Sequence, residues 1–226
     1  MNGMWMPGLG GLPEATAQAG RVDALAFGLF WLNALMVVTL FGLVVGFAIY
    51  YRRGAQVDRT GKVAERKVEI AWTLALLGVF LGIFFWAARL YIEEEASPAL
   101  PGLLEIRGVG KQWMWKFQHP GGQREINELH LPLGRPVKLV LATQDVIHSF
   151  YVPAFRIKQD VVPGRWLALS FTPGRVGRYR LFCAEYCGLD HARMTGEVVV
   201  LEPADYRAWL EASGDTGAMV EREVRP

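Results

Sequence analysis

The chain has 226 residues, of which 52% are hydrophobic and 20% charged, with a mean hydropathy of +0.19. This is too apolar for an ordinary soluble domain and too charged for a protein lying wholly within a bilayer, so membrane segments joined to an aqueous domain are expected. A net charge of +2, with acidic and basic residues near balance beyond Glu93, leaves no footprint for nucleic acid and no strong field to steer a charged partner.

Residues 1–23 begin rich in Gly, Ala, Pro and Met and read as a flexible N-terminal tail. Ala15-Thr16-Ala17 resembles a cleavage site in isolation, but the tail lacks the basic start and unbroken apolar run of a cleaved signal, so the first helix is expected to insert uncleaved. No charge occurs from Ala24 to Tyr51 or from Ile70 to Ala88. Both runs reach the roughly 20 residues that cross a bilayer, and residues 24–92 read as a two-helix transmembrane hairpin. The alternative, two core helices of a globular domain, leaves the first run without a solvent-facing stripe, since it is apolar on every face. Arg52, Arg53, Arg59, Lys62, Arg66 and Lys67 lie between the runs and only Arg21 precedes them, which places the connecting loop in the cytoplasm and both termini outside.

Glu69 stands near the start of the second helix, with Trp72 one turn on. Two readings stay open: a carboxylate stabilising a helix N-terminus, or the entrance of a proton path in a membrane partner. Arg89, near the outer end, can snorkel to the interface and is given no role.

Glu93-Glu94-Glu95 and Ser97-Pro98 mark the exit from the membrane, and residues 93–212 read as an extracytoplasmic domain. Its apolar period drops to two, through Leu104 and Ile106, Trp113, Trp115 and Phe117, Val137, Leu139 and Leu141, Trp166, Leu167 and Leu169, Tyr179 and Leu181, then Val198 and Val200. Turn signals such as Pro120-Gly121-Gly122 and Pro163-Gly164 separate these runs, which predicts an antiparallel sandwich or barrel of about 100 to 130 residues. Pro203 to Ala212 reads as a closing helix, and residues 213–226 as a polar, disordered tail.

The chemistry is concentrated in Phe182 to Met194, where Cys183, Cys187, His191 and Met194 supply two thiols, an imidazole and a thioether. These soft donors favour copper over calcium, magnesium or manganese. A disulfide between the only two cysteines would leave His191 and Met194 unexplained. His148, at the end of a predicted strand, offers a further nitrogen; His119 and His130, beside turn-like or polar segments, are expected at the surface. A blue-copper site uses one thiolate, so this set has one too many. Two thiolates and two imidazoles could hold zinc and leave Met194 unused, or two bridging thiolates could hold a pair of coppers, each completed by an imidazole and a weak axial donor, the second being the Glu185 carbonyl. No Cys-x-x-Cys-His haem motif occurs.

Cys183-x3-Cys187-x3-His191-x2-Met194 with His148 upstream resembles the binuclear copper A centre of cytochrome c oxidase subunit II. Gln112-Trp113-Met114-Trp115, Glu69-x2-Trp72-Thr73, Lys158-x-Asp160-x2-Pro163-Gly164-Arg165 and Asp145-x2-His148-Ser149 extend the resemblance over both helices and the outer domain. It implies a membrane-anchored all-β protein: a two-helix hairpin followed by a cupredoxin-like Greek-key β-sandwich or barrel. It also implies two copper ions on His148, Cys183, the Glu185 carbonyl, Cys187, His191 and Met194, and a magnesium ion shared with subunit I through the Glu185 carboxylate. Trp113 would be the electron entry point from cytochrome c, where the pattern by itself reads as an ordinary core tryptophan of an alternating strand. Glu69 would sit at the mouth of a proton path into subunit I, which reduces oxygen to water and pumps protons. The implied location is a prokaryotic cytoplasmic membrane, among lipid and further oxidase subunits.

The sequence departs from the family in two places. The proline usual after Trp-Thr in the second helix is absent from Trp72-Thr73-Leu74-Ala75-Leu76, and Lys116, Gln118 and His119 stand after Trp115 where acidic residues meet basic cytochromes. The second departure predicts a donor docked with weak salt dependence. The rival readings are the copper A subunit of a nitric oxide reductase, a membrane-anchored copper chaperone, and a quinol oxidase subunit. Exposed Met-rich motifs would favour the chaperone and are absent from the outer domain, and the quinol oxidase relative lacks the copper ligands found here.

Overall fold

The structure, a computed structural model, describes residues 11–58, 65–95 and 102–213. Contacts divide the chain into a helical unit, Asp23–Glu95, and a second unit combining Met1–Val22 with Ala96–Pro226.

Helices α1 (Ala17–Tyr50) and α2 (Glu65–Glu95) are both long and apolar enough to cross a membrane. Their large side chains stand exposed, among them Phe41 and Val44 on α1 and Phe80 and Phe85 on α2. Such a surface is stable only when lipid or partner chains cover it. Helix α1 starts ahead of the charge-free run because Thr16 caps it, accepting the Ala19 N–H at 3.1 Å.

The tail reading needs correction here. Ala15 and Thr16 are buried: the Ala15 N–H donates to the Ala154 carbonyl at 2.9 Å, the Gly174 N–H donates to the Ala15 carbonyl at 2.8 Å, and the Thr16 hydroxyl donates to the Phe155 carbonyl at 3.1 Å. With these backbone groups paired to the outer domain, the segment is held and not free. Residues 1–10 and the expected tail from 214 lie outside the described residues.

Among the described residues the outer domain contains ten strands: β1 (Leu104–Lys111), β2 (Met114–Gln118), β3 (Arg124–Ile126), β4 (Glu128–Pro132), β5 (Val137–Thr143), β6 (His148–Val152), β7 (Ile157–Val161), β8 (Leu167–Phe171), β9 (Gly177–Cys183) and β10 (Thr195–Leu201). They form two five-stranded sheets, ordered β3-β2-β1-β5-β8 and β4-β10-β9-β6-β7. The sandwich is mixed and not purely antiparallel, since β1 pairs parallel with β5 and β4 parallel with β10. Neither pair is a hairpin; the chain passes through strands of both sheets before returning beside the earlier strand. Trp113 and Trp166, read as strand residues, precede β2 and β8, and His148 opens its strand where the sequence placed it at a strand's end.

Alternation fills the space between the sheets: Ile106, Trp115, Phe117, Leu139, Phe150, Leu181 and Val198 are almost completely buried. Burying each side chain of this size contributes about 1.5–3 kcal/mol. Helix α3 (Pro203–Ala212) packs on β4 and β10, with Tyr206 buried. His119 is 2% exposed and His130 is half-buried, correcting the surface reading of both; each gives a ring nitrogen to Glu125, which a flanking polar sequence does not reveal.

Candidate metal centre

Strand register brings His148 to the cysteine loop. Strand β6 pairs with β9 so that Phe150 faces Cys183, which sets His148 beside the end of β9. The loop is closed by the Cys183 N–H donating to the Met194 carbonyl at 3.1 Å, the Ala184 N–H to the Ser149 carbonyl at 3.0 Å and the His191 N–H to the Gly188 carbonyl at 3.2 Å. His191–Arg193 form a short 3-10 turn that returns Met194 to the core, fully buried.

Cys183 and Cys187 are free thiols with sulfurs 3.8 Å apart, so the disulfide weighed from sequence does not form. His148 Nδ1 lies 3.9 Å from the Cys183 sulfur, and His191 Nδ1 lies 3.5 Å from that of Cys187. Met194 Sδ is 3.7 Å from the Cys187 sulfur, and the Glu185 carbonyl oxygen is 3.2 Å from that of Cys183. Each thiol therefore faces its own imidazole and its own weak donor. His148, Cys183 and Cys187 are buried and have donor atoms within 4.8 Å of one another.

The electrostatics suit a cation. Burial pushes the Cys183 thiol up, but the His148 hydrogen bond and backbone groups at Ser149 and Glu185 outweigh it and bring it to about 6. Burial and then the charge on Cys183 push the Cys187 thiol up to about 12. A metal that gains both thiolates must displace the protons the thiols carry. Burial pulls His148 down, while Cys183 and Asp145 more than compensate and raise it. The Asp145 carboxylate lies 2.8 Å from His148 Nε2 and can only accept, so in the neutral ring that binds a metal the proton is kept on Nε2 and Nδ1, the nitrogen on the sulfur side, is the one free to coordinate. Two thiols, two imidazoles, a thioether and a carbonyl fit a soft metal.

Trp113 sits in the turn between β1 and β2, half-buried, and its indole N–H donates to the Cys187 carbonyl at 3.2 Å. Gln112, not singled out as a site residue, donates its side-chain amide to the same carbonyl at 2.7 Å. Asp145 was likewise only part of a pattern, although the Asp145-x2-His148 spacing was its signal. Glu185 turns its carbonyl to Cys183 and is otherwise exposed. Glu69 is exposed in the second turn of α2, and the metal cluster is drawn entirely from the sandwich. A second group, Glu125, Glu128 and His130, also has donors within 4.8 Å, but the two imidazoles take Glu125 and Arg178 takes Glu128 at 2.6 Å.

Membrane-length helices ahead of a two-sheet sandwich with a thiolate, imidazole and thioether cluster define a membrane-anchored β-sandwich protein with a soft-metal donor set. Residues 123–202 match the family model for the periplasmic domain of cytochrome c oxidase subunit II. The chain is 30% identical to the alternative cytochrome c oxidase subunit 2 of Bradyrhizobium diazoefficiens, over 85% of this chain and 80% of that one. It is 31% identical to cytochrome c oxidase subunit 2 of Thermostichus vulcanus, over 88% of this chain and 77% of that one. The crystal structure of the periplasmic domain of Bradyrhizobium japonicum oxidase subunit II matches at 31% identity, covering 49% of this chain and 92% of that one, with a TM-score of 0.47. The chain belongs to the cytochrome c oxidase subunit II family. It is an electron-transfer subunit of a cytochrome c oxidase, an oxidoreductase complex, with two helices long and apolar enough to cross a membrane.

Proposed function

We propose that this chain holds a binuclear copper A centre on His148, Cys183, the Glu185 carbonyl, Cys187, His191 and Met194. The observation that carries the reading is the pairing of donors: each of two thiols 3.8 Å apart has a separate imidazole nitrogen and a separate weak donor. One blue-copper ion would leave a thiolate over, and one tetrahedral zinc would leave Met194 and the carbonyl idle. When bound, the paired ions supply a one-electron carrier of small reorganisation cost, its charge spread over two metals and two sulfurs.

The chain's own residues do the rest. His148 and Met194, fully buried, exclude water from the donors. Trp113, hydrogen-bonded to a ligand residue and half-buried, is the entry point for electrons from a cytochrome c. The electrons pass to a haem in subunit I, where oxygen is reduced to water and protons are pumped. The Glu185 carboxylate binds magnesium with subunit I, and Glu69 marks the mouth of the proton path. Residues 24–92 form the transmembrane hairpin and 93–212 the copper domain. The membrane is the prokaryotic cytoplasmic membrane, with both termini and the copper domain outside.

The test is metal content and electron-spin-resonance spectra of the full chain, purified in detergent and loaded with copper. Two coppers per chain sharing one unpaired electron, lost in Cys183→Ser and Cys187→Ser, is the expected result. A single copper with a localised spin, or zinc, would overturn it.

A further inference from the structure

We propose that Asp145 is a positioning residue that ties the turn carrying Trp113 to the metal ligand His148; the inference rests on the copper reading above. The carboxylate works in two directions. Its Oδ2 accepts the backbone N–H of Gln112 at 2.7 Å, from a residue 33 positions away. Its Oδ1 accepts His148 Nε2–H at 2.8 Å and the Val146 N–H at 2.7 Å. The Val146 bond alone would serve a local turn. The Thr143 hydroxyl, which donates to Oδ1 at 3.3 Å, belongs to that same turn. The Gln112 bond reaches across to the β1–β2 turn and the His148 bond fixes the ring that opens β6, so the one carboxylate joins the two.

The same turn is held from its other side. Gln112 and Trp113 both donate side-chain N–H groups to the Cys187 carbonyl, at 2.7 and 3.2 Å. Residues 112 and 113 are therefore pinned between two ligand residues, to Cys187 directly and to His148 through Asp145. Loss of the Asp145 carboxylate frees the neutral His148 ring to exchange tautomers, which puts the proton on Nδ1, the nitrogen that coordinates, and frees the turn from one of its anchors. Gly188 shows how close the fit is: a Cβ there would lie 2.9 Å from Gln112 Nε2 and 3.3 Å from Trp113 Cζ2.

The experiment compares Asp145→Ala, Asp145→Asn and the control Glu105→Gln, which removes a half-exposed carboxylate paired with Lys138 elsewhere on the domain. Three quantities are read on the full chain: copper affinity by chelator competition, the absorption and spin-resonance spectra, and, in the assembled oxidase, electron uptake from reduced cytochrome c. Removing a residue that orients a ligand typically lowers affinity or activity about 10- to 100-fold, and Asp145→Ala is expected to fall in that range with an altered spectrum and slower uptake. Asparagine keeps one acceptor oxygen but turns an NH2 toward one of the two donors, so Asp145→Asn is expected to lie between Asp145→Ala and the wild type. Should Asp145→Ala fail to fold by circular dichroism, the isosteric Asp145→Asn decides. Both variants matching Glu105→Gln in affinity, spectrum and uptake would overturn the inference while leaving the copper reading intact. A wild-type chain that takes up no copper pair overturns that reading and this inference with it.

Discussion

His119 Nε2 donates to Glu125 Oε1 across 2.7 Å, with neither side chain more than 6% exposed. The other carboxylate oxygen accepts His130 Nδ1–H at 2.5 Å, and the Tyr206 hydroxyl meets the far nitrogen of His119 at 2.9 Å. Trp209 stacks on the His130 ring, with centroids 4.6 Å apart. A single acidic residue of β3 thereby fastens α3 to the sheets through two imidazoles.

Burial pushes the Glu125 carboxyl up, but the bonds from His119 and His130 outweigh it and hold it below its ordinary value of 4.5. A carboxyl depressed in the folded state contributes stability above its unfolded value and loses it as the pH falls through the depressed one. Glu125→Ala strips both imidazoles of their acceptor and is expected to cost about 2–4 kcal/mol at pH 7. Its unfolding midpoint should also depend less on pH below about 4.5 than the wild type's. Thermal unfolding of the full chain followed by tryptophan fluorescence from pH 7 to pH 3 checks both; parallel pH profiles would refute the assignment.

Gly110 is pressed against the ligand His148. A Cβ there would lie 3.1 Å from His148 Cδ2 and 3.3 Å from both His148 Cγ and Trp115 Cζ3. With the His148 and Trp115 side chains fully buried, the ring has little room to yield. Gly110→Ala is expected to destabilise by about 1–3 kcal/mol and to lower copper occupancy. Metal analysis and a melting curve on the same sample read the two effects.

Glu185 has two separable parts, a carbonyl facing Cys183 and an exposed carboxylate. Glu185→Gln retains the carbonyl and removes the negative charge. Copper content and the copper spectrum should stay at wild-type levels, while manganese, taken up in place of magnesium by the assembled oxidase, should lose its spin-resonance signal. Loss of copper from this variant would assign the carboxylate, and not the carbonyl, to the copper pair.

Thr16 caps α1 and also reaches the outer domain, with its oxygen accepting from the Ala19 N–H and donating to the Phe155 carbonyl, both at 3.1 Å. Thr16→Ala is expected to cost about 1 kcal/mol, and Thr16→Ser, which keeps the oxygen, much less. Equal melting shifts for the two substitutions would mean that the methyl group matters and the hydroxyl does not.

The sequence by itself determined the features that depend on near neighbours. Two charge-free runs mark the helices because a bilayer accepts nothing else of that length, and period-two apolarity marks β1, β5 and β9 because successive strand side chains face opposite sides. The donor set was legible because Cys183, Cys187, His191 and Met194 share one loop. Tertiary structure alone decided the parallel pairings of β1 with β5 and β4 with β10, and the register that sets His148 beside Cys183. It also decided the fates of His119, His130 and Ala15, since each is held by a group distant in the chain. The same holds for Asp145 and Gln112, whose bond joins two loops. Hydrophobic period reports which face of a residue is buried; which residue it meets depends on how the strands cross, and no local pattern encodes that.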